Sequence, residues 1–241
     1  MRCIPRQSQT GFTLVEISIV MIIIGLLIGG TFGGMKLIEN MRVNRTVQDL
    51  KSIESAALTF KDTYGRLPGD LVNPAARLPN CTVAPCATAG NGNRIIGPAN
   101  HHGTTITNSD ENYTFWHHMQ AADLLSLGIS NTLDMTYGVG TPSAGADYGI
   151  RVGDVNATAA TACVSWNRTV AYLTNSAADV QSDVDCAFIR QIDGKVDDGM
   201  PNTGKLHGAA FYHCVVGASV ACDAQYVGTG TGLIMFDLKG F

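Results

Sequence analysis

Apolar residues run almost unbroken over residues 12–35, and Glu16 is the only charged side chain among them. At 1.5 Å per residue the stretch makes about 36 Å of helix, enough to cross a hydrocarbon core about 30 Å thick with some tilt. Beyond it the pattern becomes periodic. Leu37, Met41, Val47, Leu50, Ile53, Ala57, Phe60 and Tyr64 return at three- or four-residue steps, apart from a polar gap at Asn44. Lys36, Glu39, Arg42, Arg45, Asp49, Lys51 and Glu54 occupy other faces. This spacing predicts an amphipathic helix over 36–64 that lays one stripe on a core, stopped by Gly65 and Pro68. One helix over 12–64 would far exceed the globular average of about 11–12 residues. A spine half in a membrane and half on a head explains the length.

The remainder, 65–241, is long enough for one globular head with its own core. Residues 66–110 are rich in Pro, Gly, Asn and Thr and read as a long irregular connection, with Leu67-Pro68-Gly69-Asp70 as a turn. A short helix is expected over 111–127, with Phe115, Met119, Ala122 and Leu125 on one side and Gly128 as its stop. Apolar runs at 148–152, 162–173, 186–192, 209–216 and 233–238 are short, β-branched or aromatic, and separated by turn residues. They suit an antiparallel sheet packed on the spine, giving an α+β fold. No internal repeat is present.

Two features of the N-terminus bear on chemistry. An acid at the centre of a membrane helix costs roughly 2.5–3.5 kcal/mol, so Glu16 calls for a function. Gly11 lies before the apolar stretch, whereas an ordinary secretory signal places its cleavage site after it. The run Gly11-Phe12-Thr13-Leu14-Val15-Glu16, behind a leader carrying Arg2 and Arg6, resembles the signal of type IV prepilins and type II secretion pseudopilins. The resemblance covers about residues 1–45. It implies that prepilin peptidase removes leader 1–11 by cutting between Gly11 and Phe12, that Phe12 is N-methylated, and that Glu16 guides assembly. It implies a pilin-like fold, in which a long N-terminal helix packs on a C-terminal antiparallel sheet. The partners it implies are identical or related subunits, an inner-membrane platform and a cytoplasmic ATPase. Before assembly the leader would face the cytoplasm and the head the periplasm; the arginines bias the leader that way. The subunit would then enter an extracellular pilus or a periplasmic pseudopilus.

A buried charge is tolerated when paired, and cleavage exposes an amine on Phe12 that one chain can offer to Glu16 of another. Many pilins carry a proline where Gly33 stands here. Gly25, Gly29 and Gly33 are spaced for close helix contact.

Charge narrows the partners. The chain has 16 Lys and Arg against 20 Asp and Glu, and losing Arg2 and Arg6 leaves 14 against 20, a net charge of −6. An acidic head argues against a nucleic-acid surface. Seven cysteines become six once Cys3 leaves with the leader. An even count in an exported head points to disulfides. The pairing expected joins nearest neighbours: Cys81 with Cys86, Cys163 with Cys186, and Cys214 with Cys222.

Scattered patches of the head, namely Tyr64-Gly65-Arg66-Leu67-Pro68-Gly69-Asp70, Trp116 and the run from Ile192 through Gly204, resemble a large group of bacterial pilin-like proteins. Within that last run Asp193, Asp197 and Asp198 suit Ca²⁺ in ligand type, and some pseudopilins bind calcium in a C-terminal loop. The spacing is not that of an EF-hand. The competing reading is an Asp/Gly turn whose side chains cap backbone amides.

The stretch Gly199-Met200-Pro201-Asn202-Thr203-Gly204-Lys205 mimics the start of a phosphate-binding loop, but Leu206 stands where the Mg²⁺-binding hydroxyl belongs. His101, His102, His117, His118, His207 and His213 form no recognised zinc spacing, and no nucleophile–base set appears. The expected role is therefore a structural filament subunit and not an enzyme. The alternative from another class is a membrane-anchored periplasmic enzyme or metal-binding module that uses a prepilin-type export signal.

Overall fold

The computed structural model describes residues 11–97, 110–125, 149–156, 167–174, 184–200, 203–208, 231–232 and 234–238. It divides into two units, Met1–Met41 and Arg42–Phe241. A single helix, α1 (Leu14–Tyr64), contributes to both.

In the first unit α1 is long and apolar enough to cross a membrane. Val15, Ile22, Leu26 and Met35 are among its exposed large apolar side chains.

The second unit has its core around the C-terminal part of α1. Val43, Val47, Leu50, Ile53, Ala57 and Phe60 are buried there, with Thr46 beside them. This corrects the expected stripe, because Leu37 and Met41 are 62% and 61% exposed. The reason is helical phase. At about 100° per residue, Met41 lies about 200° round the helix from Val43 and Leu37 about 240°. A three- or four-residue step back from Val43 reaches Asn40 or Glu39, so the buried stripe ends there.

Gly65 closes α1 with a positive φ of 70° and donates its amide to Lys61 O at 2.7 Å, a common helix stop. The chain then makes a hydrogen-bonded turn, Asp70 N to Leu67 O at 3.2 Å, with Pro68 second and Gly69 third at φ 88°. That is the type II arrangement, which demands positive φ at its third residue. Residues 66–97 form a strap interrupted by the short α2 (Pro74–Arg77). The Cys81–Cys86 disulfide staples it.

Helix α3 (Glu111–Ala121) is buried from Glu111 to Met119 on every face, with Trp116 and Phe115 edge-to-face at 5.1 Å. It ends earlier than expected. Asp123 takes φ 57°, its amide bonds Gln120 O at 3.0 Å, and Leu124 N bonds Met119 O at 3.1 Å. This is a Schellman stop built on an aspartate, a residue that visits the left-handed region at modest cost. Gly128 lies outside the described residues.

A four-stranded antiparallel sheet follows in the order β1-β2-β6-β4, from β1 (Gly149–Asn156), β2 (Asn167–Thr174), β4 (Leu206–Gly208) and β6 (Ile234–Asp237). Ile150 pairs Leu173, Val152 pairs Ala171, Ala171 pairs Phe236, and Phe236 pairs Leu206. All of these are buried in the same cluster as the α1 stripe. Strands β3 (Val184–Asp185) and β5 (Thr231–Gly232) form a separate pair. The α+β expectation, a long helix with an antiparallel sheet and a disulfide, holds.

Segment 186–192, expected as a strand, is instead the start of α4 (Cys186–Val196). Asp185 caps it by accepting the Ala187 amide at 2.7 Å, and Cys186, Ile189, Ile192 and Asp193 are buried at helical steps. A short apolar run is ambiguous between strand and helix, and the cap decides it. The expected run 209–216 lies outside the described residues.

Candidate functional site

The N-terminal site is built on the first turn of α1. Gly11, Phe12 and Thr13 precede the helix, and Phe12 is 84% exposed. Nothing lies within 4 Å of a Cβ added at Gly11. The bond between Gly11 and Phe12 is therefore in non-helical, open chain, the form a peptidase requires. Thr13 and Glu16 close a reciprocal cap immediately after it. The Thr13 amide donates to Glu16 Oε2 at 2.9 Å, the Glu16 amide to Thr13 Oγ1 at 3.3 Å, and the Thr13 hydroxyl to Glu16 Oε2 at 2.8 Å. This is a capping box, and it sets a carboxylate at the positive end of the helix. In the single chain Glu16 thus satisfies its own helix start.

The acidic turn after α4 is the second expected site. Asp193, expected in an Asp/Gly turn, lies instead in the last turn of α4, completely buried, with Asp197 and Asp198 just beyond. Ligand oxygens of the three lie within 4.8 Å of one another. Calcium holds oxygens at about 2.3–2.6 Å, so residue type and spacing fit that ion. The turn also uses these groups itself. Asp198 Oδ1 accepts the Met200 amide at 2.9 Å and its Oδ2 accepts the Thr203 hydroxyl. Those bonds, Thr203 first, hold its carboxyl below the ordinary range. Asp197 Oδ2 accepts the amides of Lys205 and Leu206. A Cβ at Gly204, where φ is 84°, would fall 1.5 Å from Asp197 Oδ2, so only glycine admits this carboxylate.

Two lysines tie the turn region to α1. Lys205 Nζ bonds both Glu54 oxygens, at 2.6 and 2.7 Å, and stands 5.2 Å over the Phe236 ring. Lys195 Nζ reaches Asn44 Oδ1 at 2.7 Å. The lysine of the apparent phosphate loop is thus a structural ion-pair partner.

The strap meets a third group of polar side chains, which nothing in the sequence had joined together. His118, fully buried, accepts the Gly69 amide on Nδ1 at 2.8 Å and bonds Cys86 O through Nε2 at 3.0 Å. Burial pushes this histidine down to about 4. Glu111 accepts the Asn91 amide at 2.8 Å and the Gly97 amide at 3.0 Å. Burial raises its carboxyl, those two amides oppose the shift, and Asp70 and Asp110 add to it. Asp70 Oδ2 accepts the Arg94 amide at 2.8 Å. Cys81, Cys86 and His118 bring potential metal-ligand atoms within 4.8 Å, but the sulfurs are bonded to each other and offer no thiolate.

Of the other expected residues, Cys186 is disulfide-bonded. Cys163, Cys214, Cys222, His101, His102 and His213 lie outside the described residues. His117 and His207 are buried and lowered by that burial.

Residues 6–32 match the family model described as the prokaryotic N-terminal methylation motif. The chain therefore carries the prepilin-type cleavage and methylation signal of type IV pilins and pseudopilins. That signal implies processing by prepilin peptidase and association with a membrane, and it supports a pilin-like or pseudopilin-like processed protein. No curated protein and no solved structure matches the chain.

Proposed function

We propose that this chain is a structural subunit of a type IV pilus-like filament or type II secretion pseudopilus. The observation that carries the proposal is the methylation motif over 6–32, set on an open Gly11 to Phe12 bond directly ahead of a capped apolar helix. Prepilin peptidase cuts that bond on the cytoplasmic face and Phe12 is N-methylated. The new amine then pairs with Glu16 of a neighbouring subunit. Leaving an acid unpaired in an apolar bundle is costly, so the pairing favours one axial register. An inner-membrane platform and its ATPase draw the subunit out of the membrane. The head stands in the periplasm before assembly, and afterwards on a pilus or pseudopilus.

Glu16→Ala tests the register argument. Mass spectrometry should find this variant cut at Phe12 as in the wild type, while its incorporation into filaments falls at least tenfold. Undiminished incorporation would sink the role given to Glu16.

A second proposal concerns the acidic turn. Its favouring observation is the convergence of Asp193, Asp197 and Asp198 within 4.8 Å, while Lys195 and Lys205 are engaged by Asn44 and Glu54. These three carboxylates would hold Ca²⁺ through the hard oxygen ligands it takes. Millimolar Ca²⁺ should then raise the melting temperature of the detergent-solubilised full chain, and Asp193→Asn should abolish the rise. An equal rise in the variant would exclude the site.

A further inference from the structure

We propose that His118 is an acid-sensitive clasp that holds the 66–97 strap on α3 only while its ring is neutral.

The geometry sets the requirement. Nδ1 accepts the Gly69 N–H at 2.8 Å, so it must carry a lone pair. Nε2 then bears the proton and donates it to Cys86 O at 3.0 Å. The two bonds grip the strap at widely separated points, one in the turn that begins it and one at the stapled Cys86. Protonating Nδ1 would bring two N–H groups head to head at hydrogen-bond distance in a fully buried site. Neither can turn to water without the strap lifting. A buried donor facing another donor loses its bond and carries its desolvation cost as well.

The groups around the ring leave it little help in holding a charge. From α1 comes the uncharged ring of Phe60, stacked at 6.3 Å. From α3 comes His117, which opposes a second positive charge. From the strap come the backbone groups of Gly69 and Cys86. The strap's other titratable anchors are Asp70 and Glu111, with Asp110 beside Glu111.

Glu111 responds to acid with the opposite sign. Its carboxyl is raised in the folded chain, so protonation is easier folded than released, and acid does not open the strap through it. His118 is lowered in place, so its contribution is complete above its released value and is lost as pH falls from there towards its folded value.

Hydrogen–deuterium exchange of the full-length chain in detergent micelles tests the clasp, with each rate corrected for intrinsic exchange at that pH. A ring titrating at 6.5 when released and about 4 in place predicts a roughly 60-fold rise in strap opening between about pH 7 and 4.5. Peptides from α4 serve as the internal reference. His118→Gln can accept from Gly69 and donate to Cys86 without titrating, and its strap should show little of that rise. The ¹⁵N shifts of the wild-type ring give a second reading that needs no variant. They should report the Nε2–H tautomer until the strap opens. A pH-independent strap, an equal rise in His118→Gln, or a ring that protonates with the strap still protected would each overturn the clasp.

Discussion

Two glycines of the head should respond in opposite directions to the same substitution. Gly69 holds φ at 88°, and a Cβ there would stand 2.4 Å from the backbone oxygen of Glu111. Gly69→Ala should therefore cost well over about 1 kcal/mol, since both conformation and space oppose the methyl. The melting temperature should drop by several degrees, at about 2–4 °C per kcal/mol for a chain of this size. Gly194 sits inside α4, exposed, with nothing within 4 Å of an added Cβ. Gly194→Ala should stabilise by about 0.5–1 kcal/mol, through helix propensity and the entropy of the released chain. Thermal denaturation of the two variants side by side reads both effects. A stabilising Gly69→Ala would show that the strap does not pack on α3 as described.

At the scale of elements, what the sequence disclosed follows the strength of each local signal. The long apolar run, broken by one charge, and the motif Gly11 to Glu16 at its start made α1 and the processing signal readable. Short β-branched or aromatic runs between turn residues, at 148–152, 162–173 and 233–238, pointed to β1, β2 and β6. The Cys81–Cys86 pair closes so short a loop that proximity alone pointed to it. Short elements were less legible. The run 186–192 holds too few residues to separate a period of 2 from one of 3.6, and the Asp185 cap that makes it helical is a single residue. The starting phase of the buried α1 stripe was hidden because Leu37 and Met41 have the right spacing on the wrong face. His118 drew notice only as one of six histidines without a zinc spacing, and Glu111 drew none: Gly69 lies 49 residues from His118, and nothing local marks either as an anchor.

The element contact made by Lys205 is open to direct test. It joins the turn after α4 to Glu54 on α1, with side chains 28% and 13% exposed. Partial exposure moderates the pair, so Lys205→Met should cost about 1 kcal/mol. The loss should shrink only slightly in high salt, because screening acts weakly on partly buried charges. A variant as stable as the wild type in urea would show the contact to be incidental.

At the scale of the molecule, the core cluster begins at Val43 and runs through strap, α3, α4 and sheet, while Ile22, Leu26, Met35 and other large apolar side chains described in the first unit stay exposed. A chain begun at Arg42 should accordingly be soluble and unfold in one cooperative transition without detergent. Aggregation of that chain under conditions that keep the full length dispersed would contradict the division into two units. In the proposed filament subunit the leader is removed and the exposed apolar helix becomes part of the filament core. Intact-mass spectrometry of this protein, from mechanically sheared surface material and from membranes of the same native cells, tests that claim most directly. A chain starting at N-methyl-Phe12 is the predicted result in the fraction that holds filaments: sheared material for a pilus, the membrane fraction for a pseudopilus. An intact leader in both fractions would contradict it.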